Sequence, residues 1–333
     1  MAPSGINETE DNGAEEEQIL TAELAFEQAG LRLDQAVAEL FADYSRSRLT
    51  QWIKDGQLLV NGEQRKPRDK VMGGEQVTLR VVLEHDERFE PEPIPLDIVY
   101  EDEAILVINK PAGLVVHPAA GNWQGTLLNA LLHHDPNLAA VPRAGIVHRL
   151  DKETSGLLVV ARTLEAQTSL VGQLQERSLT REYDAVINGV LTGGGKVDAP
   201  IDRHPVDRKR MAVVRSGKPA ITHYRVAERF RAHTHIKVKL ETGRTHQIRV
   251  HMAHLKHPLV GDPVYGGRLR IPPASGEQLQ ETLRRFPRQA LHASRLGLEH
   301  PVSGEYMEWQ VPLAADIETL LAVLRQDLAE HKG

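Results

Sequence analysis

Residues 145–162 read GIVHRLDKETSGLLVVAR. Leu157 to Ala161 is a continuous apolar run rich in β-branched residues, and it follows a Thr154-Ser155-Gly156 turn signal. A short apolar run bounded by turn residues predicts a strand buried on both faces. The preceding half, His148, Arg149, Asp151, Lys152 and Glu153, is polar and densely charged. A charged loop that runs straight into a core strand is held rigidly at one end, which suits a side chain that must be placed for chemistry.

The sequence on either side fills in a domain. Upstream, a strand is predicted over Ala104 to Asn109, then Lys110-Pro111-Ala112-Gly113, then an amphipathic helix over 125–134. Downstream, a helix over 164–177 turns Leu164, Leu170 and Leu174 inward, and REYDAVING (181–189) alternates as a strand ending at Gly189. Gly193-Gly194-Gly195 is a turn, and 201–219 is a hairpin-like stretch holding Arg203, Arg208, Lys209, Arg210, Arg215 and Lys218. That stretch fits an exposed loop and a polyanion contact equally well. Strands at 220–228 and 234–241, a helix at 245–256, a long loop through Pro258, Asp262-Pro263 and Gly266-Gly267, strands at 290–299 and 306–311, and a helix from Asp316 to Ala329 complete the reading. Many strands with interspersed helices and no regular βαβ alternation predict an α+β domain with a mixed, mostly antiparallel sheet and flanking helices.

A second, smaller module precedes it. LRLDQAVAELFA (31–42) places apolar residues near helical spacing. In SRSRLTQWIKDG (45–56) Ser45 reads as an N-cap, Leu49, Trp52 and Ile53 lie at i, i+3, i+4, and Gly56 is a stop. Strands at Leu58–Val60 and 76–83 flank an Asn61-Gly62 turn and a basic loop, Arg65 to Lys70. Residues 85–97 (HDERFEPEPIPLD) carry three prolines and read as a linker. The expected organisation is an acidic, disordered tail over 1–27, the small module over 28–84, the linker over 85–97 and the large domain over 98–333.

The formal charge of −6 over 333 residues is misleading. Residues 1–27 hold eight acids and no Lys or Arg, so the remainder stands at +2. Charge distribution, rather than overall pI, decides whether nucleic acid is a plausible partner. The chain has no Cys, no apolar run of membrane-spanning length and no basic-then-apolar leader, which fits a cytoplasmic protein with no membrane partner. No GxGxxG or GxxxxGK[ST] is present, so a nucleotide cofactor has no support. His246, His251, His254 and His257 have no acid between them, and their spacing spreads them around a helix, so no metal is expected.

HRLDKETSG (148–156), REYDAV (181–186) and GRTHQIRVH (243–251), in that order, resemble the motifs of the RluA-type pseudouridine synthases. SRSRLTQWIKDGQLLVNG (45–62) resembles the S4-type RNA-binding module. Together the resemblances cover nearly everything from Leu31 to the last helix. They imply an isomerase that extrudes a uridine and converts it to pseudouridine without a cofactor. Asp151 then matches the family's catalytic aspartate, Tyr183 its active-site tyrosine, and Arg249 the arginine that pairs with the aspartate. Arg244, Arg149 and His148 fall on the substrate side. In the S4-like module Arg46, Arg48, Lys54, Arg65 and Lys66 are the candidate RNA contacts. By themselves these residues read as readily as a solvated basic face, and Tyr183 as a half-buried strand tyrosine.

The closeness of PRAGIVHRLDKETSG (142–156) and LETGRTHQIRVHMAH (240–254) to the large-subunit members implies a substrate in 23S rRNA or a large-subunit precursor, at several uridines of the helix 69 stem-loop, and a protein acting as a monomer. Other rRNA or tRNA uridines are the alternative within the family. An rRNA-binding assembly factor and a glycosidic-bond hydrolase are alternatives outside it. Most glycosidases use two carboxylates, whereas only Asp151 has motif support here.

Overall fold

The computed structural model describes residues 17–41, 44, 46–82, 89–118, 124–207 and 210–331. The chain divides into two units, residues 1–87 and 88–333.

The first unit contains β1 (Glu17–Glu23), α1 (Leu33–Leu40), α2 (Arg46–Asp55), β2 (Leu58–Val60) and β3 (Gln76–Val82). β3 lies between β1 and β2, antiparallel to both. Leu33, Ala36 and Val37 of α1 and Leu49, Trp52 and Ile53 of α2 close over Leu58, Val60, Val77 and Leu79 as one core. Gly56 ends α2 at φ 75°, in the left-handed region where glycine costs least. Ser45, read as an N-cap, lies outside the described residues, as do residues 1–16. Residues 17–23, assigned from composition to the disordered tail, are instead a strand. Leu20 and Ala22 pack on the core from alternate positions, and the backbone pairs with β3. A window average over an acid-rich segment hides a period of two.

The second unit is built on a nine-stranded sheet of β4 (Ile98–Glu101), β5 (Ile105–Lys110), β6 (Ser155–Ala161), β7 (Thr180–Asn188), β8 (Gly195–Asp198), β11 (Ile221–Arg229), β12 (His233–Leu240), β13 (Leu291–Glu299) and β14 (Tyr306–Gln310). The order is β4-β5-β6-β13-β7-β12-β11-β8, with β14 added beside β13. Only β6 and β13 run parallel, so the sheet is mixed and mostly antiparallel. A separate two-stranded ribbon joins β9 (Ile201–Arg203) to β10 (Met211–Val213) within the basic hairpin. The helices are α3 (Leu127–His134), α4 (Leu164–Glu176), α5 (Gln247–His254), α6 (Glu277–Arg285) and α7 (Ala315–Glu330).

All seven residues of β6 are buried because both faces of the sheet are covered. Leu158 and Val160 meet α3 and the site-bearing core, while Leu157, Val159 and Ala161 meet α4. α6 and α7 pack over Val186, Phe230 and Ala290.

Four sequence expectations are corrected here. Residues 89–97 lie along this unit: Asn129 donates to Glu90 O at 2.8 Å, and Phe89 and Leu96 pack on the core. α3 is buried on every side from Leu127 to Leu132 rather than amphipathic, because Thr126 and Asn129 cap its start inside the protein. Leu164 is exposed, since it is the first residue of α4, and Ala166 takes its inward place. From Tyr183 to Ile187 both sides of β7 are buried, so its alternation does not separate core from solvent. β4, β8 and α6 had no sequence assignment; the apolar signal of α6 is only Leu279 and Leu283.

Candidate active site

The loop before β6 is tied down at several points. The Lys110 ammonium, at the end of β5, is fully buried and donates to Pro111 O (2.7 Å), Leu114 O (3.0 Å) and Lys152 O (3.0 Å). Burial pushes its pKa down to about 7. Arg288 donates to Glu153 O (3.0 Å) and Ser155 Oγ (3.2 Å) and is itself held by both oxygens of Asp316. Thr154 N–H closes the turn onto Asp151 O at 3.0 Å. Asp151 is thus presented on a rigid loop, half-buried, at a cavity of about 700 Å³.

α5 supplies the opposite wall. Its entry is fixed by Gln247, whose side chain accepts from Arg244 N–H (3.0 Å) and Thr242 Oγ1–H (2.8 Å) and donates to Ile221 O (3.0 Å) and Thr222 Oγ1 (2.9 Å). Two residues on, buried Arg249 donates through Nη1 to Asp151 Oδ2 at 3.0 Å. Its Nε and Nη2 donate to Asp262 Oδ2 (2.7 Å) and Oδ1 (3.0 Å). Asp262 also accepts from the N–H groups of Val264 (2.8 Å) and Tyr265 (2.9 Å). Burial opposes the charge of Asp262, but Arg249 and these N–H donors outweigh it and keep its pKa below the usual carboxylate range. Burial likewise opposes the charge of Arg249, and Asp262 and Asp151 outweigh it.

The Arg249 guanidinium lies 5.0 Å from the centre of the Tyr265 ring. The Tyr265 hydroxyl accepts from Met211 N–H and meets His246 Nδ1, both at 2.9 Å. His246 Nε2 is 3.9 Å from Asp151 Oδ1, and burial lowers its pKa. Asp262, Tyr265 and His246 therefore surround the Asp151–Arg249 pair. Asp262 and Tyr265 sit in a stretch whose Pro and Gly content reads as plain loop. The local signal was Asp262-Pro263, a turn dipeptide with no indication of an arginine partner 13 residues upstream.

Tyr183 lines the same cavity from β7. Burial raises its pKa, partly offset by the charge of Arg181, so its hydroxyl keeps its proton at neutral pH. His148 is half-buried with its ring turned inward. Nε2 accepts Val159 N–H at 3.2 Å, and burial, then the charge of Arg181, push its pKa to about 3. Arg149 is exposed at the cavity, and Arg244 lines it while donating through Nε to Pro219 O at 3.0 Å. The structure therefore brings Asp151, Tyr183, Arg249, Arg149, Arg244 and His148 to one cavity, and adds Arg143, Arg177 and Arg181 to its lining.

The candidate RNA contacts in the first unit are less uniform. Lys54 and Lys66 are exposed. Arg46 is half-exposed and pairs with Asp34 at 2.9 Å, and Arg65 pairs with Glu75 at 3.0 Å. The Arg48 side chain lies outside the described residues. Of His246, His251, His254 and His257, only His251 and His254 lie in α5; His251 meets Thr222 Oγ1 and Ala199 O, and His257 meets Asn188 O, away from His246. Among the described residues no three His, Asp or Glu side chains are placed to hold a metal ion.

A carboxylate paired with a guanidinium, sharing with a buried tyrosine a cavity lined with arginines, is a site for glycosidic-bond chemistry on a nucleotide of a polyanion. The family described as RNA pseudouridylate synthase matches residues 104–254, and the S4 domain matches residues 31–77. The chain belongs to the RluA family of RNA pseudouridine synthases, enzymes that isomerise uridine. It is 61% identical over 314 residues to ribosomal large subunit pseudouridine synthase D of Escherichia coli (strain K12), covering 94% of this chain and 96% of that one. It is 63% identical over 312 residues to the protein of the same name from Pseudomonas aeruginosa, covering 94% and 98%. Among solved structures, human RNA Pseudouridylate Synthase Domain Containing 4 superposes with a TM-score of 0.54 at 28% identity, over 68% of this chain and 92% of that one.

Proposed function

We propose that this enzyme converts uridine to pseudouridine in 23S rRNA, on the large subunit or its precursor, at several uridines of the helix 69 stem-loop. The observation that carries the site assignment is the 3.0 Å pair between Asp151 and Arg249 at the mouth of a cavity shared with Tyr183. The large-subunit substrate rests on identities of 59–63% over nearly the whole chain to synthases named for that subunit.

In this reading the target uridine leaves its stack, at a cost of a few kcal/mol that is smaller from a loop than from a duplex. Its uracil lies against the Tyr183 ring. Asp151, paired with Arg249, is the nucleophile or base that opens the glycosidic bond. The uracil then turns and rejoins the sugar through carbon. Arg149 and Arg244 hold the RNA at the rim, and His148 shapes the loop from beneath. Residues 28–84 are an RNA-binding module that meets phosphates through Lys54, Lys66, Arg46, Arg48 and Arg65. The protein works in the cytoplasm as a monomer; no helix among the described residues is long and apolar enough to cross a membrane.

The test is Asp151→Asn, assayed for conversion of uridine in 23S rRNA. Loss of conversion with retained RNA binding is expected, and unchanged turnover would remove the mechanism. Mapping modified uridines in rRNA from cells lacking the protein tests the site. Release of free uracil would instead mark a hydrolase.

A further inference from the structure

Three arginines are buried among the described residues: Arg181, Arg249 and Arg288. Arg249 pairs with Asp151 and Asp262, and Arg288 with Asp316. Arg181 is 7% exposed, its Nε has no partner, and among the described residues its guanidinium pairs with no carboxylate and makes no hydrogen bond. It lines the Asp151 cavity. Only its Nε is shut away from water, and the rest of the guanidinium stands at the cavity with no carboxylate beside it, so folding gains little from keeping the charge there. An anion that enters the cavity can compensate it.

Geometry narrows the choice. Arg181 and Tyr183 are two residues apart on β7 and share one face, a separation of about 6.6 Å along the strand. A nucleotide whose base rests on Tyr183 extends its sugar and phosphate over a comparable length. Gly243, at the start of GRTHQIR, leaves the space that the guanidinium occupies, because a Cβ there would stand 2.6 Å from Arg181 Nη1. Arg149, Arg177 and Arg244 line the same cavity and favour an anion there. A planar guanidinium fork matches phosphate oxygens two at a time.

We propose that Arg181 is a substrate-binding residue whose guanidinium receives a phosphate adjoining the target uridine and so sets how deeply the nucleotide enters the cavity. The assignment rests on the uridine-isomerising reading above.

The test uses the full chain and a synthetic RNA stem-loop, with a neutral methylphosphonate placed in turn at the phosphate 5′ or 3′ of the target uridine. Arg181→Met is expected to lower kcat/KM on the unmodified RNA about tenfold or more, the scale of a charge-assisted hydrogen bond. Arg181→Lys, which keeps the charge, is expected to recover part of that. The wild type should lose a similar factor at one of the two methylphosphonates, and Arg181→Met should be indifferent to that same replacement. Arg181→Met should also melt no lower than the wild type, because it removes an unpaired buried charge. A merely structural arginine would give the opposite pattern, with a lower melting temperature and losses that multiply with the methylphosphonate at both positions. That outcome overturns the assignment. If Arg181→Met does not fold, the same cycle is read with Arg181→Lys. Kd for the same RNAs reads the cycle without turnover. A wild type that binds but forms no pseudouridine brings down the functional reading, while the coupling in Kd still decides Arg181.

Discussion

Asp151 owes its setting to a residue that never reaches the cavity. Asp262 has no side-chain exposure and takes two hydrogen bonds from Arg249, which leaves only Nη1 to turn toward Asp151. Asp262→Asn should therefore act at a distance. It removes one partner of a buried pair, for which a loss of about 3–5 kcal/mol is typical, and it lets Arg249 swing away from Asp151. We expect a lower melting temperature together with a kcat/KM at least about tenfold lower, a drop worth about 1.4 kcal/mol. A variant that melts normally and turns over normally would show that Asp262 does not position the pair. Tyr265→Phe should be milder. It leaves the ring under Arg249 but strands Met211 N–H, a loss of about 1–3 kcal/mol that denaturant titration can measure. At this scale Asp151, Tyr183 and Arg249 were legible in the sequence because they sit in motifs. Asp262, Tyr265 and the unpaired state of Arg181 were not, because a residue's partner is a property of the folded chain.

The strand that follows the Asp151 loop depends on Gly156. Gly156 has φ 112°, and a Cβ on it would approach Ala293 O to 2.2 Å, at the parallel junction of β6 with β13. Gly156→Ala must either separate those strands or strain the backbone, and we expect a loss above about 2 kcal/mol with a matching fall in activity. Gly172 is the control. It lies inside α4 with nothing near its would-be Cβ, so Gly172→Ala should raise stability by about 0.5–1 kcal/mol and leave turnover alone. Equal effects of the two substitutions in thermal melts would contradict this account. The elements that sequence reading found were those with strong periodicity or clear stops, such as β6 and α2. β1, β8 and α6 escaped it because each carries few apolar residues, and β4 because it is only four residues long; all are ordered by pairing or packing from elsewhere.

Across the larger unit burial lowers the pKa of several bases. Burial lowers His233 and His292 to about 4, His148 to about 3 and Lys110 to about 7. Each therefore binds fewer protons when folded than when unfolded, where the ordinary values are 6.5 for His and 10.5 for Lys. Stability must rise with pH between the folded and unfolded values. For the histidines that window runs from about 3–4 up to 6.5, and for Lys110 from about 7 up to 10.5. Melting temperature should climb from pH 5 to pH 7, with His233 and His292 contributing about 2 kcal/mol each, and should not fall by pH 8.5. Melts at constant ionic strength check this, and a maximum at pH 5 would refute it.

The amino-acid order alone determined that this chain carries a charged loop ahead of a doubly buried strand, an α+β sheet domain, a small helical module before it, and the three motifs of an RNA isomerase. Those are local properties, set by periodicity, turn chemistry and short strings. Only the tertiary structure decided that Arg249 divides its guanidinium between Asp151 and Asp262, and that Lys110 clips the Asp151 loop. The same holds for the Pro-rich stretch lying on the larger unit and for Arg181 facing the cavity without a partner. Each of these is a long-range pairing or its absence, and a hydrogen bond's free energy depends on which distant groups the fold brings within 3 Å and which it shuts away from water.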